Sequence, residues 1–275
     1  MIKSLSIILI TFQFSGLSSA QQFNWFPADL NVQPFTANLS EPRGGFLFAL
    51  DENKIRLDVG TSRDVLHIYL NESTLSFGAD LFTYTRLRSE NEFHFPVETI
   101  DYLFGINSAY KVDDGKKEIG IRFRFSHISA HLADGQYDKN SASWKDGNLP
   151  DVYSREFAEL FPFFRVKNIR MYLGFTYLIH TSPDNVKKTV FQLGGDYFLV
   201  GLISDQFTPF AAYDFKLNGI NNYIGNNSFS AGIKFGRWNG RGFSVYFAFL
   251  SGLSIHGEYF DLRENYSNLG FNLDL

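Results

Sequence analysis

A histidine and a serine two positions apart, His127 and Ser129, are the residues of this sequence best placed to do chemistry. They lie in the run KEIGIRFRFSHISAHL, residues 117–132. Read as a β-strand, the run puts Ile121, Phe123, Phe125, His127, Ser129 and His131 on one face and Gly120, Arg122, Arg124, Ser126, Ile128 and Ala130 on the other. Neighbours two apart on one face are about 6.6 Å apart along a strand, within reach of a side-chain hydrogen bond. An imidazole so placed can take the proton of a serine hydroxyl, the central step of nucleophilic acyl transfer. A bland alternative stands beside it, because polar residues near the end of a strand also suit a lipid headgroup level. A metal shared by His127 and His131 is not expected, since residues four apart on a strand are about 13 Å apart. No metal or cofactor is predicted elsewhere. His67, His94, His180 and His256 are scattered, and the glycine pairs at 44–45 and 194–195 lack a phosphate-loop context.

The elements that must position this pair alternate with period two. Residues 169–180 set Ile169, Met171, Leu173, Phe175, Tyr177 and Ile179 against Arg170, Tyr172, Gly174, Thr176, Leu178 and His180. Similar alternation runs through 229–236, 241–260 and the C-terminal stretch with Leu269, Phe271, Leu273 and Leu275. One face is apolar and the other polar or small, which is a sheet pattern. Several segments reach the ~9–11 residues that a membrane-spanning strand needs, beyond the ~5–6 of a soluble strand.

Composition agrees. The 275 residues include 31 Phe, 14 Tyr and 3 Trp but no Cys, which excludes a disordered chain and a disulfide scaffold. A net charge of -4 gives no reason to expect nucleic acid as a partner. Lys3, the apolar stretch Leu5–Phe14 and the small residues Ser18 and Ala20 read as a cleaved secretory signal over residues 1–20. No later apolar run is long enough for a transmembrane helix.

The predicted architecture is therefore all-β: a transmembrane antiparallel barrel over residues 44–275, preceded by a periplasmic or lumenal lead-in over 21–43. The strands are read at 44–51, 54–60, 75–85, 98–111, 117–132, 154–166, 168–180, 189–200, 206–217, 226–237, 241–260 and 267–275, about twelve in all. Short connections at 111–116, 166–168, 201–205 and 238–240 would be periplasmic turns. Longer ones at 86–97, 133–153, 181–188, 218–225 and 261–266 would be outer loops. Two features resist: a long periplasmic connection at 61–74, and Pro162 inside a strand, where a bulge would be needed. Arg122, Arg124, Arg170, Asp196, Asp214 and Lys234 are predicted to face the lumen, and Tyr110, Tyr153, Tyr259 and Trp238 to form interfacial girdles.

The His-x-Ser pair on an outer strand resembles outer-membrane phospholipase A and the outer-membrane lipid A deacylase, which present such a pair on the outside of a barrel, facing acyl chains. That resemblance implies a third residue, Asn or Glu, that orients the histidine. No clean match stands at those families' spacing, so Glu156, beyond the long outer loop, is the first candidate and Asp134 the second. A longer resemblance rests on FTANLSEPRGG (35–45), FSHISAHLADG (125–135), YSREFAELF (153–161) and RMYLGFTYLIH (170–180). Together these are similar to an uncharacterised bacterial outer-membrane barrel family, domain of unknown function 1207. It implies a barrel and no activity.

The expected function is thus an outer-membrane barrel whose His127, Ser129, Glu156, Asp134 and His131 serve as a lipid-facing hydrolase of acyl esters. The competing expectation is a non-enzymatic structural, assembly or narrow transport barrel. Expected partners are outer-membrane lipid and the barrel-assembly machinery, which reads an alternating C-terminal strand; a homo-oligomer is not predicted.

Overall fold

The computed structural model describes residues 22–147, 149–204 and 206–274. The signal sequence expected at 1–20 lies outside the described residues. In chain order the strands are β1 (Gln22–Trp25), β2 (Gly44–Ala49), β3 (Lys54–Leu70), β4 (Ser73–Arg88), β5 (Val97–Asp113) and β6 (Lys117–Leu132). A two-residue hairpin, β7 (Tyr137–Asp138) and β8 (Ser143–Trp144), sits in the next connection. Then follow β9 (Tyr153–Val166), β10 (Ile169–Ser182), β11 (Thr189–Phe198), β12 (Phe207–Gly219), β13 (Tyr223–Gly236), β14 (Gly242–Leu253) and β15 (Arg263–Asp274).

Each of β2–β6 and β9–β15 pairs antiparallel with its neighbours, and β15 closes onto β2, giving a twelve-stranded barrel. Closure joins the two ends of the sheet, as a span in lipid requires, and β1 covers part of the β3 edge that the short β2 leaves free. The alternation seen in the sequence is the reason for the wall. On β10 the outward Met171 is 57% exposed and the inward Arg170 3%. Apolar out and charged in inverts a water-soluble fold, and an apolar surface of this extent belongs in a bilayer. From Ile119 to His127 along β6 the chain rises about 26 Å at ~3.3 Å per residue. A tilt of ~40° leaves about 20 Å along the membrane normal, close to the ~25 Å height of an apolar belt. His127 therefore stands at the belt's upper edge.

The chain enters the barrel before it builds it. β1 pairs with the last turn-side residues of β3, Leu66–Tyr69. Residues 26–43 then run through the lumen. Phe35 is fully buried, its ring stacked 4.0 Å from Tyr172 and beside Phe161 and Phe163. The Arg122 and Arg170 guanidinium carbons lie 4.6 and 4.7 Å from its centroid. Arg170 donates to the carbonyls of Gln33 at 2.7 Å and Pro34 at 2.6 Å. Glu41 accepts from Arg122 at 2.9 Å, and Arg124 donates to Glu159 at 2.6 Å. Buried charges are held as pairs, as a low-dielectric interior requires.

The structure corrects several boundaries. β3 does not stop at residue 60: it continues to Leu70 and turns at Asn71–Glu72, so the long connection at 61–74 is a strand and a tight turn. A register shift between Asp64 and Leu66 breaks the period there, which hid the strand. Asn71, at φ 56°, takes the left-handed position that asparagine tolerates. β14 ends at Leu253, and Ser254–Leu262 is a loop folded over the mouth. Pro162 needs no bulge. The β9–β10 ladder skips Phe161 and Pro162 opposite Leu173 and Gly174 and resumes in the same register. The girdle reading also fails in part: Tyr153 and Tyr259 are buried inside, and Trp238 packs against Phe198 and under Arg165. All six predicted lumenal charges are buried.

Candidate active site on the outward face

β6, β9 and β10 lie side by side at the loop-bearing end of the barrel, β9 between the other two. The long connection 133–152 makes β6 and β9 antiparallel neighbours, so the end of one meets the start of the other. Their register sets His127 opposite Glu156 and Ser129 opposite Ser154. All four belong to the outward face, the row that carries Phe123, Phe125 and Leu160 lower down. His127 Nδ1 lies 2.5 Å from Glu156 Oε1.

A third strand completes the group. Between Leu178 and His180 the β9–β10 register shifts by one, so Ile179 is an extra residue and both Ile179 and His180 turn outward. A bulge re-aims the side chain that follows it. His180 therefore leaves the inner face that strict alternation assigns to it. Its Nδ1 sits 2.7 Å from Glu156 Oε2. The same shift brings Ser182 opposite Ser154. Two lateral rows result across three strands: His127–Glu156–His180, and one step nearer the loops Ser129–Ser154–Ser182.

Chemistry follows from valence. An ionised carboxylate only accepts hydrogen bonds, so each neutral imidazole donates its Nδ1–H to Glu156 and keeps the Nε2 lone pair free to take a proton. The Phe104 ring, 4.9 Å from the His127 ring, packs against one side. Side-chain exposure is 28% for His127, 31% for Glu156 and 68% for His180, so the row is open to the surroundings of the barrel. Ser129 Oγ and Ser154 Oγ have no hydrogen-bond partner among the described residues. Either is separated from the imidazole row by one same-face step.

The other proposed members stand apart. Asp134 is exposed in a single 3-10 turn of the loop, and its carboxylate makes no ion pair among the described residues. His131 continues the outward row beyond Ser129, with its ring 6.1 Å from Tyr102, and does not join the hydrogen-bonded group. Among the described residues no group of three or more His, Asp or Glu side chains could hold a metal ion. His180, Ser154 and Ser182 are the members that sequence reading missed. A mirrored spacing was visible for one of them: S-x-E at 154–156 runs antiparallel to H-x-S at 127–129. No periodic signal announces the bulge that recruits His180.

The model of a family described as protein of unknown function (DUF1207) matches residues 95–274. No curated protein matches the chain. Among solved structures, the beta domain of the Bordetella autotransporter BrkA is similar at 12% identity and a TM-score of 0.40, over 85% of this chain and 100% of that one. OmpT, an outer membrane protein of Vibrio cholerae, is similar at 7% identity and a TM-score of 0.39, over 94% of this chain and 99% of that one.

Proposed function

The chain belongs to the DUF1207 family, whose description assigns no chemistry, and from the geometry of its outward face we propose that it is a bacterial outer-membrane barrel that hydrolyses acyl esters of outer-leaflet lipid. One observation carries the reading: His127 Nδ1 bonds Glu156 Oε1 at 2.5 Å on the lipid-facing surface, with Ser129 two residues along the same face. A charged, hydrogen-bonded pair at the rim of an apolar belt costs desolvation that a purely structural wall would avoid with another Phe or Leu.

In this mechanism His127 Nε2 takes the Ser129 proton as Oγ attacks the ester carbonyl carbon. The imidazolium returns that proton to the departing alcohol oxygen, leaving an acyl-serine. Water, deprotonated by the same imidazole, then releases the fatty acid. Glu156 fixes the tautomer and supports the imidazolium. Longer loops at one end of the barrel and mostly tight turns at the other support an orientation with the loop end outward and the site in the outer leaflet. The C-terminal strand, with Leu269 and Leu273 outward, is the segment for the barrel-assembly machinery to read.

The second reading is a barrel without chemistry, favoured by a lumen whose turn-side part is plugged by residues 26–43 and by the unpaired Ser129 hydroxyl. The test uses protein folded into mixed micelles with a diacyl phospholipid and, separately, lipid A, with fatty acid release measured by mass spectrometry. Release abolished by Ser129→Ala supports the hydrolase. Release unaffected by Ser129→Ala but lost in Ser154→Ala moves the nucleophile one strand over. No release from either lipid leaves the structural barrel.

A further inference from the structure

The strands that present the His127 row outward line a cavity on their inner face. Residues 26–43 fill the turn-side part of the lumen, and Leu39 and Ser40 form the floor of a space of about 160 Å³ above them. One wall is apolar, made of Leu103, Ile128, Phe157, Leu178 and Val190. Three cations border the same space: Arg155 from β9, Lys216 from β12 and Lys187 from the loop between β10 and β11.

Among the described residues these cations lack a contact ion pair, and only Lys216 lies within electrostatic reach of a wall carboxylate, Asp214. Arg155 has no hydrogen-bond acceptor, its Nε is shut off from solvent, and its guanidinium carbon lies 4.6 Å from the Tyr153 ring centroid and 5.8 Å from that of Phe260. Lys216 donates only to Ser40 Oγ, at 3.3 Å. Lys187 Nζ lies 5.8 Å from the Tyr223 ring. The two carboxylates on the wall are already engaged: Glu159 with Arg124, and Asp214 with Gln192 Nε2 at 2.6 Å and the Tyr172 hydroxyl. Elsewhere in this lumen buried arginines are matched to acids, as Arg122 is to Glu41 and Arg170 to Asp196. The Arg155 Nε is buried without an acceptor, while its terminal nitrogens remain accessible at the cavity wall, where an anion can meet them.

We infer that this cavity is a binding site for a small amphipathic carboxylate, its anionic head on Arg155 and Lys216 and its apolar body against Ile128, Phe157 and Leu178. Size sets the class. A dry cavity of ~150 Å³ takes one benzene, so an aromatic ring or short aliphatic chain fits and a full-length lipid does not. A guanidinium fork and a carboxylate match bidentately. The site faces the lumen, and it stands or falls independently of any reaction at Ser129 on the outer face.

The experiment titrates benzoate into the protein in lipid nanodiscs, followed by ligand-observed NMR. Benzyl alcohol serves as the neutral isostere, acetate as the headgroup without a body, and empty nanodiscs as the blank. Saturable benzoate binding above the blank is expected, with benzyl alcohol and acetate each at least tenfold weaker. Arg155→Gln and Lys216→Gln sit on different strands, and each should weaken benzoate about tenfold or more while the folded, heat-modifiable band persists. Ser129→Ala should bind as wild type does. Equal binding of benzoate and benzyl alcohol, a signal no larger than that of empty nanodiscs, or wild-type affinity in both folded Gln variants overturns the assignment.

Discussion

Glu156→Gln is the substitution that interrogates the site most directly. The two carboxylate oxygens each take one Nδ1–H, from His127 at 2.5 Å and from His180 at 2.7 Å. A glutamine of the same size offers one acceptor and one NH2. One imidazole must then face a donor, move its proton to Nε2, and lose the lone pair that would deprotonate serine. The other keeps its tautomer but loses the negative charge that supports the imidazolium. A hydrogen bond to a charged group contributes about 1.5–3 kcal/mol. With Glu156 31% exposed, about 2 kcal/mol is the apt value, or a roughly 30-fold fall in kcat. The tautomer change extends the loss toward 100-fold, still below the ~10⁴ of a fully buried triad carboxylate. His180→Asn removes a 68% exposed partner and should cost no more than about fivefold, whereas His127→Asn should cost 10²–10⁴-fold, roughly the range of a general base. The assay is initial fatty acid release from a diacyl phospholipid in mixed micelles. Each variant is first shown to migrate as a folded barrel in unheated SDS gels. A folded Glu156→Gln enzyme within threefold of wild type, alongside an inactive Ser129→Ala, would refute the orienting role.

Further expectations concern the wall and its contents. Glu41→Ala leaves the Arg122 guanidinium, 8% exposed, buried without its carboxylate, and should lower unfolding free energy by about 3–5 kcal/mol in urea titrations; Glu41→Ala with Arg122→Met should recover much of that. A loss under 1 kcal/mol would mean the lumenal segment is not anchored there. The chain has no cysteine, so single cysteines report topology cleanly. Lys139→Cys should react with an impermeant maleimide on intact cells, and Lys116→Cys only after lysis; the reverse pattern would invert the orientation. Burial raises the carboxyl pKa of Glu258, in the loop over the mouth, although it accepts the Leu132 amide at 3.2 Å. The fold therefore favours its protonated form, a contribution present at low pH and lost as pH rises through the raised pKa. Relative to Glu258→Gln, the wild-type thermal midpoint should fall between about pH 4 and pH 8. A constant difference across that range would remove Glu258 from the pH response.

Much of the wall was legible because alternation is written residue by residue. β6 runs over Lys117–Leu132, the span its strict pattern marks, and Arg122 and Arg124 face the lumen because their neighbours Phe123 and Phe125 face lipid. Glu156 was nameable as a partner for His127 because a long loop between consecutive strands makes them antiparallel neighbours. Where alternation broke, the reading broke too: Thr61, Ser62 and Arg63 look like a loop, and the shift after Asp64 puts the rest of β3 out of phase.

What the sequence determined alone was a local property: which residues can share a face, and hence a barrel with a polar lumen and a His-x-Ser pair looking outward. What tertiary structure decided was every fact that needs two chain segments at once. The path of residues 26–43 through the lumen depends on Phe35 meeting Tyr172 and on Glu41 meeting Arg122, contacts more than 80 residues apart. The recruitment of His180 depends on a single extra residue, Ile179, on β10 against β9. Side chains on a strand have period two, so one residue of slip exchanges the faces. Pairing with the neighbouring strand sets that slip, and for this reason the histidine that sequence assigns to the lumen shares a carboxylate on the membrane face.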